Sequence, residues 1–290
     1  MVTLKNETSK SQYMKSYVVA GGKEGKTTFL VASLLGALPH QKQGLVTSPA
    51  HLHLLGIDSN AVGGLAQFLT KVCGKSEDYL EVDVHNMQDA ANLVSASRTD
   101  WDFSFFNAMM MKVKDIRAQI AKVPGVHAVV CSSLTGLAEA LQRGMSGPPD
   151  PSKKGGGMDI AKWSDLTRQL VELRNLLQVD THHMFWEGHV FKAGGGGQGG
   201  AEAHEEAGVP GKVGKNWGFN VDQVFRLRRE LRVCYPNTLV EKQYLDTKPT
   251  LDFTSGGRGF TGVLEAKEYD LVDVAVKLGY KVGAFGAKTT

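Results

Sequence analysis

Lys26, Thr27 and Thr28 stand directly behind a cluster of glycines, Gly21, Gly22 and Gly25. Successive backbone N–H groups in such a turn form a concave nest for phosphate oxygens, and the nest requires small side chains. An ammonium at Lys26 would reach the β- and γ-phosphates of a nucleotide, and the Thr27 hydroxyl would hold Mg²⁺. The flanks agree with this chemistry. Tyr17-Val18-Val19-Ala20 reads as a strand leading into the turn, and the apolar run from Phe29 to Leu35 reads as a helix leaving it. Strand, glycine-rich turn and helix start are the context of a P-loop. The pattern G-x-x-x-x-G-K-[ST] asks for glycine at position 20, where this chain has Ala20. The competing reading is a glycine turn before a helix with an exposed lysine.

The remaining sequence must supply elements that position this turn. The chain has 290 residues, 42% hydrophobic and 22% charged, with a net charge of +3. That is globular composition, and the modest charge does not by itself indicate nucleic acid. Cys73, Cys131 and Cys234 are odd in number and widely spaced, which argues for a reducing compartment and against a disulfide framework. The polar start of the chain has no apolar core for a signal peptide, and no apolar run reaches the ~18 residues of a membrane span. A soluble protein of the cytoplasm is expected, without a membrane partner.

Residues 1–15 read as a polar arm, and residues 16–290 as a single domain. Strands are expected at 51–58, 79–84, 125–131 and 183–190, with closing strands at 221–235 and 239–245, for which an antiparallel arrangement at a sheet edge is one reading. The alternation of Leu80, Val82 and Val84 with Glu81 and Asp83 also suits an edge strand. Helices are expected from Thr27 to near Pro39, from Gly63-Gly64 through Val72, at 87–96 and 105–121, after Gly136 to Arg143, and at 160–177 and 269–278. Residues 146–157 and 193–200 are rich in glycine and read as mobile loops. Strands alternating with helices imply a mainly parallel sheet covered on both faces. His182, His183, His189 and His204 fit no standard zinc-ligand spacing.

The order of motifs carries a resemblance. After the P-loop come Ile57-Asp58-Ser59-Asn60, then Val129-Val130-Cys131-Ser132-Ser133-Leu134-Thr135, Trp163 on a long helix, Glu187-Gly188-His189, a glycine loop, Gly211-Lys212 and Phe219-Asn220-Val221-Asp222. Over roughly residues 16–250 the chain resembles the RecA-like P-loop ATPases of bacteriophages that are related to single-strand annealing recombinases. The resemblance implies a RecA-like fold, ATP and Mg²⁺ as cofactors, single-stranded DNA as partner, and homo-oligomerisation.

It also implies roles. Asn60 stands about where the family has a water-activating glutamate, and Ser132 about where it has a metal-binding aspartate. Both are departures that remove a carboxylate, so binding is better supported than hydrolysis. The first candidates for a replacement carboxylate are Asp58 and Glu187. For Ser132-Ser133 a helix N-cap competes with a metal-site role; for residues 57–60 a solvated turn competes. His189 corresponds to the residue that senses the γ-phosphate, against the alternative of a satisfied core histidine. The glycine loops stand where the family binds DNA. Lys153, Lys154, Lys192, Lys212 and Lys215 lie in or beside them, Arg226, Arg228, Arg229 and Arg232 follow, and Trp217 or Phe219 would stack on bases. The competing reading of these cations is a solvated basic face, and a P-loop protein serving as a structural or regulatory subunit remains the second reading of the whole.

Overall fold

The computed structural model describes residues 13–21, 26–34, 50–56, 80–86, 104–146, 160–193, 204–207, 217, 220–234, 238–246 and 263–265. The strands are β1 (Lys15–Ala20), β2 (Ala50–Gly56), β3 (Leu80–Asn86), β4 (Val126–Ser132), β5 (His183–Ala193), β6 (His204–Ala207), β7 (Gln223–Cys234), β8 (Thr238–Asp246) and β9 (Val263–Glu265). The helices are α1 (Lys26–Leu34), α2 (Ser104–Lys122), α3 (Leu134–Ser146) and α4 (Ile160–Leu177). The strand order is β3-β2-β4-β5-β1-β7-β8-β9, with β6 paired to β5. Pairing is parallel from β3 through to β7 and antiparallel for β7–β8 and β8–β9. The closing strands are therefore antiparallel, as expected, and β3 lies at one end of the order. This is the expected α/β class, a mainly parallel sheet with helices on both faces.

Burial follows from strand alternation. Every residue of β1 and of β4 is buried, the condition of a parallel sheet covered on both sides. Tyr17 and Val19 of β1, Val129 and Cys131 of β4, and Met184 and Trp186 of β5 share one cluster with α2, α3 and α4. Helix α4 presents Leu166, Leu170, Leu173 and Leu177 to it, all fully buried, and α2 presents Met109, Val113 and Ile116. Both sets recur at helical spacing. Each such side chain contributes about 1.5–3 kcal/mol on burial. The alternate residues, among them Val18, Ala20, Val130 and Phe185, are buried outside that cluster, as are Phe29 and Leu30 of α1. Helix α1 thus covers the opposite face, and Glu187 and His189 belong to that face by alternation from Trp186.

The sheet begins earlier than the sequence suggested. Lys15, the last residue of the expected polar arm, opens β1, and Met14 is fully buried. The backbone there is fully engaged: Met14 N donates to His183 Nδ1 at 3.0 Å, Met184 N to Met14 O at 3.0 Å, and Lys15 N to Asp222 Oδ2 at 3.0 Å. The Lys15 ammonium donates to the carbonyls of Val179 and His182, and burial pulls its pKa down to about 8. Strands β6 and β9 were not expected. Because β6 pairs antiparallel with β5, the glycine-rich stretch after Ala193 connects two paired strands. The expected helices at 64–72, 87–96 and 269–278 lie outside the described residues. Among the described residues no helix is long and apolar enough to cross a membrane.

Candidate nucleotide site

The site forms where β1 and β4 end beside the middle of β5 and the start of α1. Register places it. Ala20 pairs with His189 and Val18 with Glu187 across β1–β5, while Cys131 pairs with Trp186 across β4–β5. One step further on, Ser132 and Glu187 are neighbours on the face that α1 covers. Gly188 separates Glu187 from His189 because the Tyr17 ring lies against it. A Cβ at position 188 would come within 2.2 Å of the Tyr17 hydroxyl oxygen.

Lys26 is buried, at 6% exposure, which overturns the reading as an exposed lysine. Its Nζ donates to Gly21 O at 3.3 Å and lies 3.3 Å from His189 Nδ1. An ammonium can only donate, so His189 Nδ1 is the acceptor and its ring carries a proton on Nε2. His189 is only partly buried, and its backbone N–H donates to Thr135 Oγ1 at 3.0 Å. It therefore belongs to the mouth of the turn rather than to the core.

The second cluster gathers around Thr27. Its hydroxyl donates to Glu187 Oε2 at 2.8 Å and lies 3.1 Å from Ser132 Oγ. Glu187 is 1% exposed, and its other oxygen, Oε1, has no hydrogen-bond partner. Burial pushes its carboxyl up to about 7, against the lowering influence of the Thr27 and Ser132 hydroxyls and of the Lys26 charge. The two alternatives for Ser132-Ser133 divide between the two serines. Ser133 caps α3, its Oγ accepting from Gly136 N at 3.0 Å and its carbonyl from Leu137 N at 3.0 Å, the N-cap arrangement. Ser132 points its hydroxyl at Thr27.

The structure thus brings Gly21, Lys26, Thr27, Ser132 and His189 together from four elements and their turns. Gly22, Gly25, Asn60, Asp58, Lys153, Lys154, Lys212, Lys215 and Phe219 lie outside the described residues. Thr28 lies in α1 and Lys192 in β5 opposite Glu205, with their side chains outside the described set. One expectation is corrected. Trp217 does not present its ring for stacking on bases. It is fully buried, edge-on to Trp186 at 4.9 Å and beneath the Arg174 guanidinium at 5.6 Å, because an indole of that size fills the cluster under α4. Phe225 and Leu227 are buried while Arg226 between them is partly exposed, the alternation expected of that strand.

Two residues of the site were poorly marked in the sequence. Glu187 stood only as a fallback, although a carboxylate amid the apolar run of a buried strand is itself a signal. Thr135 carried none, since its role depends on the approach of β5. The histidines separate by strand length: His182 and His183 sit at the start of β5 and His189 six residues on, roughly 20 Å away at ~3.3 Å per residue. Among the described residues no three histidine, cysteine or carboxylate groups converge as a metal site.

The donor set fits the groups that the P-loop implies. Lys26 and the turn would hold phosphates, and Thr27 with Ser132 would hold Mg²⁺, which prefers oxygen ligands and would supply charge neutralisation there. Comparison with known proteins adds little. No family model and no curated protein matches the chain. Among solved structures it is similar to a prototypical ATPase from the type III secretion system of pathogenic bacteria, at 13% identity and a TM-score of 0.41, covering 74% of this chain and 52% of that one. The chain spans about half the length of that protein. The fold class rests on the strand order itself.

Proposed function

We propose that the chain binds ATP with Mg²⁺ at this site and acts on single-stranded DNA as a phage-type RecA-like protein of recombination or replication. The observation that carries the nucleotide reading is the pairing of Lys26 with two acceptors, Gly21 O and His189 Nδ1, at the end of the central strand. A phosphate oxygen would replace such acceptors with a stronger, charge-assisted partner. His189 would then report phosphate occupancy through its bond to Thr135 and α3.

The DNA reading is supported by sequence and by connectivity. Strand β5 carries Glu187 and His189 at the site and runs on to Lys192, Ala193 and the glycine-rich stretch. Lys153, Lys154, Lys212 and Lys215 supply further cations near such stretches, and a homo-oligomer would align them along a strand. Asn60 stands in this reading as the residue that orients water.

A second reading, a structural or regulatory subunit without ATP turnover, is favoured by one observation: β4 ends in Ser132, a neutral group where a carboxylate would hold metal. Titration of a fluorescent ATP analogue, with and without single-stranded DNA at several salt concentrations, separates the two. The first reading predicts nucleotide binding and a DNA affinity that falls steeply with salt as counterions are released. DNA binding that is absent or independent of salt favours the structural subunit.

A further inference from the structure

We propose that Glu187 supplies the carboxylate of the Mg²⁺ site, from β5 rather than from β4. This rests on the nucleotide-binding reading above. Strand β5 pairs directly with the P-loop strand β1, whereas β4 stands one strand further away. The glutamate side chain reaches Thr27 from β5 at 2.8 Å, beside the shorter Ser132 side chain that reaches it from β4 at 3.1 Å. The Thr27–Glu187 hydrogen bond spans 160 residues of sequence at 2.8 Å.

Three features of the contact point to a cation. The Thr27 hydroxyl uses its proton on Glu187 Oε2, which leaves its lone pairs to face a metal. Ser132 Oγ adds a third oxygen at 3.1 Å from Thr27 Oγ1. Glu187 Oε1 is buried and has no hydrogen-bond partner among protein atoms. A buried acceptor of that kind is costly unless something satisfies it, and Mg²⁺ or a water that Mg²⁺ orients satisfies it directly. The carboxylate's hydrogen bond is to the hydroxyl assigned to the metal. The pair assigned to the terminal phosphate, Lys26 and His189, is hydrogen-bonded to each other. Glu187 is thus the charged metal ligand in this arrangement, and Ser132 need not carry charge.

The test is calorimetric titration of ATP into wild type and Glu187→Gln, each in Mg²⁺ and in EDTA. Removing one charged ligand is expected to cost about tenfold or more in the Mg²⁺-dependent part of the affinity. Wild type should bind more tightly in Mg²⁺ than in EDTA. Glu187→Gln should match wild type in EDTA and gain little from Mg²⁺. A variant that keeps the full gain from Mg²⁺ overturns the assignment while leaving the P-loop reading intact. Wild type that binds no ATP in either buffer overturns both. Glu187→Asp, which keeps the charge but withdraws it by one methylene, serves where Glu187→Gln does not fold: a reduced gain from Mg²⁺ supports the assignment, and an unchanged gain contradicts it.

Discussion

Thr27 contacts two residues that sequence distance hides from it, Ser132 and Glu187, 105 and 160 positions away. Lys26 and Thr27 were legible because a P-loop is a local motif whose glycines, lysine and hydroxyl are consecutive. Glu187 was not, because its role depends on which strand lies beside β1, and a sequence read in order gives no strand order. Gly188 shows the same dependence. Its lack of a side chain matters only because Tyr17 of the neighbouring strand lies over it. Gly188→Ala is expected to destabilise the fold by about 1–3 kcal/mol through overpacking, read as a lower urea midpoint. An unchanged midpoint would show that the Tyr17 ring moves aside freely. The ring lies in the cluster with Trp186 and Val19, so that freedom is small.

At the scale of elements, β5 does most of the positioning. Its middle carries Glu187 and His189, and its start is fixed by Met14 and by a buried group of charges and rings around Lys15, His182 and His183. The apolar periodicity of α2 and α4 and the short runs of β1, β2, β4 and β5 were readable because burial repeats along the chain. The start of β1 was not, since Lys15 looks like solvent until the carbonyls of Val179 and His182 are seen to receive its ammonium. The short strands β6 and β9 were missed because each is defined by a partner rather than by a pattern.

His182 at this end makes stability depend on pH. It is fully buried, and burial, reinforced by the Lys15 charge and more weakly by His53 and His183, pulls its pKa from 6.5 to about 3. Between those values the unfolded chain takes up a proton that the folded chain refuses. Stability is therefore complete above pH 6.5 and is lost as pH falls toward 3. From pH 6.5 to pH 5 the loss is about 2 kcal/mol. Urea unfolding at pH 7 and pH 5 should show this loss in wild type and a shallower one in His182→Gln. Equal pH dependence in the two proteins would assign the effect to other groups.

For the whole molecule, the class of fold was legible and its use only partly so. Alternating strands and helices around a glycine-rich turn sufficed for a mainly parallel sheet with helices on both faces. The expected DNA contacts rested on cations beside glycine-rich stretches, and of Lys153, Lys154, Lys192, Lys212 and Lys215 only Lys192 falls within the described residues. The Trp217 ring was misread because an aromatic near a basic stretch suits both a stacking platform and a core, and the core won. What unites the fold is that α1, β4 and β5 deliver an ammonium, an imidazole, two hydroxyls and a carboxylate to one place beside the end of β1. The proposed function requires that this site bind ATP. Its most direct test is the affinity for Mg²⁺-ATP of wild type and Lys26→Ala, measured by calorimetry beside circular dichroism. Loss of a charge-assisted contact of about 1.5–3 kcal/mol predicts a drop of about 10- to 100-fold with an unchanged fold. Equal affinity in the two proteins would contradict the account.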